Sequence, residues 1–107
     1  MRTVYLMNSP IITAEGDYRY LRITPATAAA IAATSTLVSA VGHTATAAAM
    51  SAVLDIPVEC IRREIVMDAG DAAIVYRPKA RLAEGQVLSD QELRAIPCEL
   101  GLLERLR

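Results

Sequence analysis

Histidine is almost absent from this chain: there is one, His43. Cysteine is scarce as well. The two cysteines, Cys60 and Cys98, have neither CxxC spacing nor a histidine nearby. A structural zinc site within one chain therefore lacks ligands, and the thiols read as buried apolar fillers in a reducing compartment. Basic excess is missing: eleven Lys plus Arg stand against twelve Asp plus Glu, a net charge of −1. This excludes charge-driven binding to long nucleic acid, so a nucleic-acid ligand has to be short and held in a local pocket. No Asp/Glu cluster has metal-ligand spacing, which disfavours a metal-dependent nuclease; no metal and no cofactor is expected. Repeats, linkers and low-complexity tails are lacking too. At 107 residues the chain reads as one domain, residues 1–107, with a limited core that benefits from oligomerisation. Met1-Arg2-Thr3-Val4-Tyr5 shows no signal-peptide pattern and runs straight into a strand-like segment, so a cytoplasmic location is expected.

The longest gap is in charge. From Pro25 to Leu54 there is no Asp, Glu, Lys or Arg. The stretch is rich in Ala, Thr and Ser, has few large aliphatics, and is broken by Gly42-His43, so it is too weakly apolar for a membrane span. It reads as two small-residue helices that pack closely on a sheet or on a second subunit.

What is present sorts into elements. Val4–Asn8 reads as a strand ended by Asn8-Ser9-Pro10, and Tyr18–Ile23 as a second strand. Thr24-Pro25 is a helix start, a capping threonine before a proline in the first turn, and the helix is expected to run to about Val41. Thr44–Leu54 is the second helix. Arg63–Met67 and Ala72–Tyr76 read as a hairpin about the Asp68–Asp71 turn. Ser89-Asp90-Gln91-Glu92 opens a short helix with a capping box, and Glu99–Leu106 closes the chain as a strand. The fold class is α/β (α+β): a single mixed sheet of about five strands with helices packed on it.

Two places carry chemistry. His43 stands at the break between the helical stretches. Gly42 is a plausible residue to end the first, and Thr44 or Thr46 could cap the second. Its imidazole is the side chain best suited to proton transfer near neutrality, and a helix start offers N–H groups to an anion. The plainer alternative is a partly buried histidine held by a backbone carbonyl. The second place is Arg77-Pro78-Lys79-Ala80-Arg81-Leu82-Ala83-Glu84-Gly85. If the strand continues, Arg77, Lys79 and Arg81 face one way, as a phosphate cradle or as a solvated edge that blocks strand pairing. Glu84 is then their ion-pair partner or a group that orients an imidazole.

Taken in order, Val4-Tyr5-Leu6-x-Asn8, Gly42-His43 opening a helix, a hairpin after it, Arg81-Leu82-x-Glu84-Gly85 and Gly101-Leu102-Leu103-Glu104-Arg105-Leu106 resemble the viral type III anti-CRISPR ring nucleases and their bacterial and mobile-element homologues. The resemblance covers nearly the whole chain. It implies a two-fold homodimer that binds cyclic tetra-adenylate across its axis and cuts it without metal, in the host cytoplasm if the protein is viral. It implies that His43 matches the family's catalytic histidine, and that Arg81 and Glu84 match its arginine and glutamate near the ligand, Glu84 with a catalytic role. Arg62 falls at a ligand-contacting arginine, with Arg63 next door competing for the register. Asn8, with Ser9 beside it, matches the pocket-lining end of the first strand. Arg77 stands where a viral relative has glutamine and is expected on the substrate.

The chemistry this implies asks little of the protein. A ribose 2′-hydroxyl attacks its own phosphate, leaving a 2′,3′-cyclic phosphate and a 5′-hydroxyl. The site supplies in-line geometry, cations at the phosphoryl oxygens and an acid for the departing oxygen. One histidine per chain gives no acid–base pair in a subunit, but a dimer offers two at opposite phosphates of the ring, and two cuts give linear di-adenylates. Two other classes remain open: a non-catalytic protein that sequesters the cyclic nucleotide, and a structural protein of a mobile element that oligomerises through its Ala-rich helices.

Overall fold

Alternation with period two sorts the first strand. In β1 (Thr3–Met7), Val4 and Leu6 enter one apolar cluster and Tyr5 and Met7 another, on the opposite face. The computed structural model describes residues 2–79 and 87–107. After β1 come β2 (Tyr18–Ile23), α1 (Pro25–Ala33), β3 (Thr36–Ser39), α2 (Thr44–Leu54), β4 (Ala72–Pro78), α3 (Asp90–Arg94) and β5 (Cys98–Arg105). The strands form one five-stranded mixed sheet in the order β2-β5-β4-β1-β3. β1 pairs parallel with β3 and β4, while β5 is antiparallel to both β4 and β2. The expected α+β class with a single five-stranded sheet is therefore found.

The uncharged stretch is explained by packing. In α2, seven of the eleven residues are buried, which leaves little surface for a charge. Ala28, Ala32, Ala49, Met50 and Leu54 of the helices meet Val4, Leu6, Ile74, Tyr76, Leu100 and Leu102 of the sheet. Truncating one of the larger of these, such as Leu6 or Ile74 to Ala, costs about 2–5 kcal/mol. The other face carries a smaller cluster of Met7, Ala73, Val75 and Leu103, roofed by Ile65 and Met67 from a loop rather than by a helix.

Three expectations are corrected. The first helix stops at Ala33, not near Val41. The residues beyond it, Thr36-Leu37-Val38-Ser39, include two β-branched side chains and a free sheet edge to join, and they pair with Thr3–Leu6 as β3. Gly42 therefore follows a strand and ends no helix. Arg63–Met67 is not a strand, because the neighbours of β4 are β1 and β5. The Asp68–Asp71 turn is real: the Asp71 carboxylate accepts from the Asp68 N–H at 2.9 Å and Gly70 has φ +91°, a backbone state that suits glycine. Cys60 is exposed rather than buried, and Cys98 is only partly covered. Two of the caps read from sequence are present, at α1 and α3. The Thr24 hydroxyl accepts from the Thr27 N–H at 3.1 Å, and Ser89 and Glu92 complete the capping box of α3.

The parallel strands aim the chain at one end of the sheet. The carboxyl ends of β1, β3 and β4 lie there, together with the end of β2 and the start of β5. The opposite end is tied down. Glu104 accepts from Arg2 at 2.9 Å and from Arg19 Nε at 3.1 Å. The Arg19 guanidinium in particular holds its carboxyl below the usual range, aided by Arg2. Beside it, Arg105 donates to the carbonyls of Met67 and Glu15, pinning two loops to the strand.

Candidate functional site

The carboxyl end of parallel strands is where an open sheet of this kind has room for a ligand, because the connecting loops diverge there. β1 delivers Asn8, and β3 delivers Ala40, Val41 and Gly42. Val41 then makes an isolated parallel bridge to Cys60, and the Ile61 N–H donates to the Val41 carbonyl at 2.9 Å. That short pairing brings Arg62 against Gly42. Its guanidinium lies 3.4 Å from the Gly42 carbonyl, and a Cβ added at Gly42 would come within 3.2–3.3 Å of the Arg62 side chain. Glycine at 42 thus lets the arginine sit close beside the histidine; a side chain there would push Arg62 back by a few tenths of an ångström.

His43 itself is the cap of α2, in place of Thr44 or Thr46. Its backbone is extended, with φ −127° and ψ 121°, and its Nδ1 accepts from the Thr46 N–H at 3.2 Å. The buried Thr46 hydroxyl is 3.0 Å from the same nitrogen. A nitrogen that accepts a peptide N–H carries no proton, so the neutral ring bears its proton at Nε2. The threonine hydroxyl can reverse roles. It donates to an unprotonated Nδ1, and it accepts once that nitrogen is protonated. The half-buried imidazole is therefore held by both Thr46 groups while Nδ1 is unprotonated; a proton there gives up the N–H contact and keeps the hydroxyl as acceptor.

Asn8, Ile11, Ala40, Gly42, His43, Arg62 and Arg63 line one open groove of about 370 Å³. A second hollow of about 370 Å³ shares five of these residues and extends past Ser9 to Met7, Thr13 and Ile65. The Thr13 hydroxyl donates to the Ile65 carbonyl at 2.8 Å, so the two loops that wall the groove are tied together. Of the expected site residues, the structure brings Asn8, Ser9, His43 and Arg62 to this place. Arg63 joins Arg62 in lining it. Ile11 and Ala40 are lining residues that the sequence reading missed; only their position just after Asn8-Ser9 and just before Gly42-His43 marks them.

Arg77 is placed elsewhere. It does not line the groove but leans toward Glu99 at 3.8 Å, alongside Lys79 at 3.6 Å. The expectation that Arg77 and Lys79 face one way holds, while Arg81 and Glu84 lie outside the described residues. Near this spot the Cys98 thiol is pushed up chiefly by burial, and burial raises the Tyr76 hydroxyl as well, so both stay protonated at neutral pH. Among the described residues, no group of three His, Cys, Asp or Glu side chains is placed to hold a metal ion, and no helix is long and apolar enough to cross a membrane.

A sequence model for STIV B116-like proteins matches residues 4–100, and the chain belongs to that family. It is 45% identical over 74 residues to ORF117 of Acidianus two-tailed virus, a match that covers 68% of this chain and 63% of the viral protein, just under two thirds of that relative. It is 29% identical over 106 residues to protein 26 of Sulfolobus islandicus filamentous virus (isolate Iceland/Hveragerdi), covering 94% of this chain and 90% of that protein. The fold is similar to the solved structure of B116 of Sulfolobus turreted icosahedral virus, with a TM-score of 0.78 over 96% of this chain and 99% of the other at 21% identity. The relatives named are viral proteins, and the structural likeness establishes the shared fold.

Proposed function

We propose that this member of the STIV B116-like family is a metal-independent ring nuclease. In this reading a homodimer binds cyclic tetra-adenylate at its interface and cleaves it to linear di-adenylates, switching off type III CRISPR second-messenger signalling. The observation that supports it most is the convergence of Asn8, Gly42-His43 and Arg62 on one groove, since these residues were singled out from separate parts of the sequence.

The residues divide the work as follows. Arg62 and Arg63 supply positive charge for the phosphoryl oxygens, where negative charge grows in the transition state. The substrate's 2′-oxygen forms a bond to phosphorus as the bond to the 5′-oxygen breaks. The 2′-hydroxyl loses its proton to solvent water, and the 5′-oxygen gains one. His43 is the donor: as imidazolium it gives up the Nε2 proton, its Nδ1–H turned to the Thr46 hydroxyl at the cost of the Thr46 N–H contact. Asn8 lines the groove as a neutral hydrogen-bonding group. The seat of Glu84 and Arg81 in this scheme rests on the sequence resemblance alone.

A second reading has one observation in its favour. Capping α2 gives His43 a job that needs no chemistry, which suits a protein that sequesters the cyclic nucleotide without cutting it. Incubation with cyclic tetra-adenylate in EDTA, resolved by chromatography, separates the two. The ring nuclease consumes the ring. A ring that is bound yet survives excess protein, with or without divalent ions, leaves the sequestering reading.

A further inference from the structure

The second cationic cluster lies at the same end of the sheet but on other strands. Arg22 is the last residue but one of β2, Arg77 the last but one of β4 and Lys79 follows β4; all three surround Glu99, the second residue of β5, at 3.5, 3.8 and 3.6 Å. None of these contacts is as short as a well-formed charge-assisted hydrogen bond, which lies near 2.7–2.9 Å. Three cations thus share one carboxylate loosely, and more than half of each cationic side chain is exposed. Among the described side chains of the cluster, the balance is three positive charges to one negative. Arg77, Pro78, Lys79 and Glu99 line a depression of about 340 Å³ beside them.

The floor next to the cluster is built for close approach. Gly101 is the register partner of both Arg22 and Val75. The Tyr20 hydroxyl lies over it, so near that an added Cβ would fall 2.2 Å away. Glycine here leaves room for the Tyr20 ring to lie over the strand, with its hydroxyl at the register partner of Arg22. Two forks of N–H donors and one ammonium suit a group with several acceptor oxygens around one centre. A phosphoryl group offers that; a carboxylate offers only two oxygens in one plane.

We propose that Arg22, Arg77 and Lys79, gathered on Glu99, form a second phosphate-binding station, separate from the His43 groove, for another phosphoryl group of the same oligonucleotide. β5 is two strands from β1, so the station's centre stands about 10 Å along the sheet end from Asn8. A ligand that fills both has phosphates at both places, which selects an oligonucleotide over a mononucleotide. That the oligonucleotide is cyclic tetra-adenylate rests on the ring-nuclease reading; the phosphate chemistry of the station does not. Glu99 acts as a placeholder. It keeps the cations together when the station is empty and is displaced by the incoming anion.

The test uses inorganic phosphate as the first probe, followed by backbone amide shifts in solution NMR. The expected result is saturable shifts at Arg22, Arg77, Lys79 and Glu99. They should need at least tenfold more phosphate in an Arg22→Gln/Lys79→Gln double variant of unchanged melting temperature. Glu99→Gln should bind phosphate at least threefold more tightly, because the competing carboxylate is gone; a cluster that serves only to hold strands together gives no such gain. Absence of saturable shifts, or an affinity that falls or stays level in Glu99→Gln, overturns the station. The second probe is cyclic tetra-adenylate, which the double variant should bind about tenfold more weakly. Equal ring affinity in wild type and double variant overturns the shared-ligand claim. If wild type ignores the ring while the phosphate shifts appear, the ring-nuclease reading fails and the station stands.

Discussion

The two ends of β5 each hold a glutamate among basic side chains, and they do so differently. Glu104 receives hydrogen bonds from Arg2 and Arg19 at 2.9 and 3.1 Å, and its carboxyl is held down in consequence. Glu99 has three cations near it, none closer than 3.5 Å. At the Glu104 end the neighbouring Arg105 is spent on loop carbonyls. At the Glu99 end the sheet opens onto a groove with a histidine and two arginines. The same kinds of residue thus make a clamp at one end and an exchangeable surface at the other. Changes at the open end should alter ligand chemistry with little effect on stability, and changes at the closed end should do the reverse.

The largest effect is expected at His43. His43→Asn keeps a side-chain acceptor for the Thr46 N–H, so the α2 cap survives; asparagine is among the best residues at such a position. Cleavage of cyclic tetra-adenylate should fall by about 10²–10⁴-fold, the usual worth of a positioned acid, with ring affinity within a few-fold of wild type. Single-turnover rates and a melting curve check this together. His43→Ala should show the same loss of rate plus about 1 kcal/mol of destabilisation from the missing cap.

Arg62→Ala comes next. Loss of a charged hydrogen-bond donor from the groove should weaken ring binding by about 1.5–3 kcal/mol, roughly tenfold or more, as read by titration calorimetry. The melting temperature should barely move, since the contact to the Gly42 carbonyl is long at 3.4 Å. A large fall in stability with unchanged affinity would make Arg62 part of the scaffold and erase the contrast between the ends.

Thr46→Val tests the proton seat. The shape is kept and the Thr46 N–H still caps to the neutral ring, but the hydroxyl that accepts from a protonated Nδ1 is gone. The expected loss is smaller, about tenfold in the single-turnover rate, with ring affinity unchanged. An unaltered rate would mean that the hydroxyl is only a packing contact.

The smallest effect belongs to the closed end and depends on pH. Glu104 has a folded-state pKa below its unfolded value, so its stabilising contribution is present above the unfolded carboxylate range, near 4.3, and is lost as pH falls through the folded value. Glu104→Gln should therefore be less stable than wild type at pH 7, and the two denaturation curves should converge in acid. Glu99→Gln should show no more than the roughly 0–1 kcal/mol of an exposed ion pair at either pH. Equal pH-dependent losses in both variants would remove the distinction.

Much of this was legible in the sequence because it is local. The alternation of Val4-Tyr5-Leu6-Met7, the Thr24-Pro25 start and the Ser89–Glu92 box each follow from a few adjacent residues. Thr36–Ser39 was not legible as a strand. Its Ala-rich flanks carry helical propensity, and what overrides them is the open edge of β1, a partner more than thirty residues away. The same holds for the site. His43 was marked by its type and neighbours, and Asn8, Ser9 and Arg62 by the family resemblance, but that Arg77 turns toward Glu99 instead of joining them follows from the antiparallel pairing of β4 with β5. That a histidine would serve as its own helix's cap was also hidden, because Thr44 and Thr46 beside it are the commoner choice.

The mass of the product tests the central claim most directly. Attack by a 2′-hydroxyl adds no atoms, so two cuts of the ring give di-adenylates with a 2′,3′-cyclic phosphate and half the mass of cyclic tetra-adenylate. Mass spectrometry of the earliest products formed by the wild-type protein in EDTA should show that species, and His43→Asn should not form it at a comparable rate. An intact ring at excess protein, or first products already one water heavier, would contradict the account.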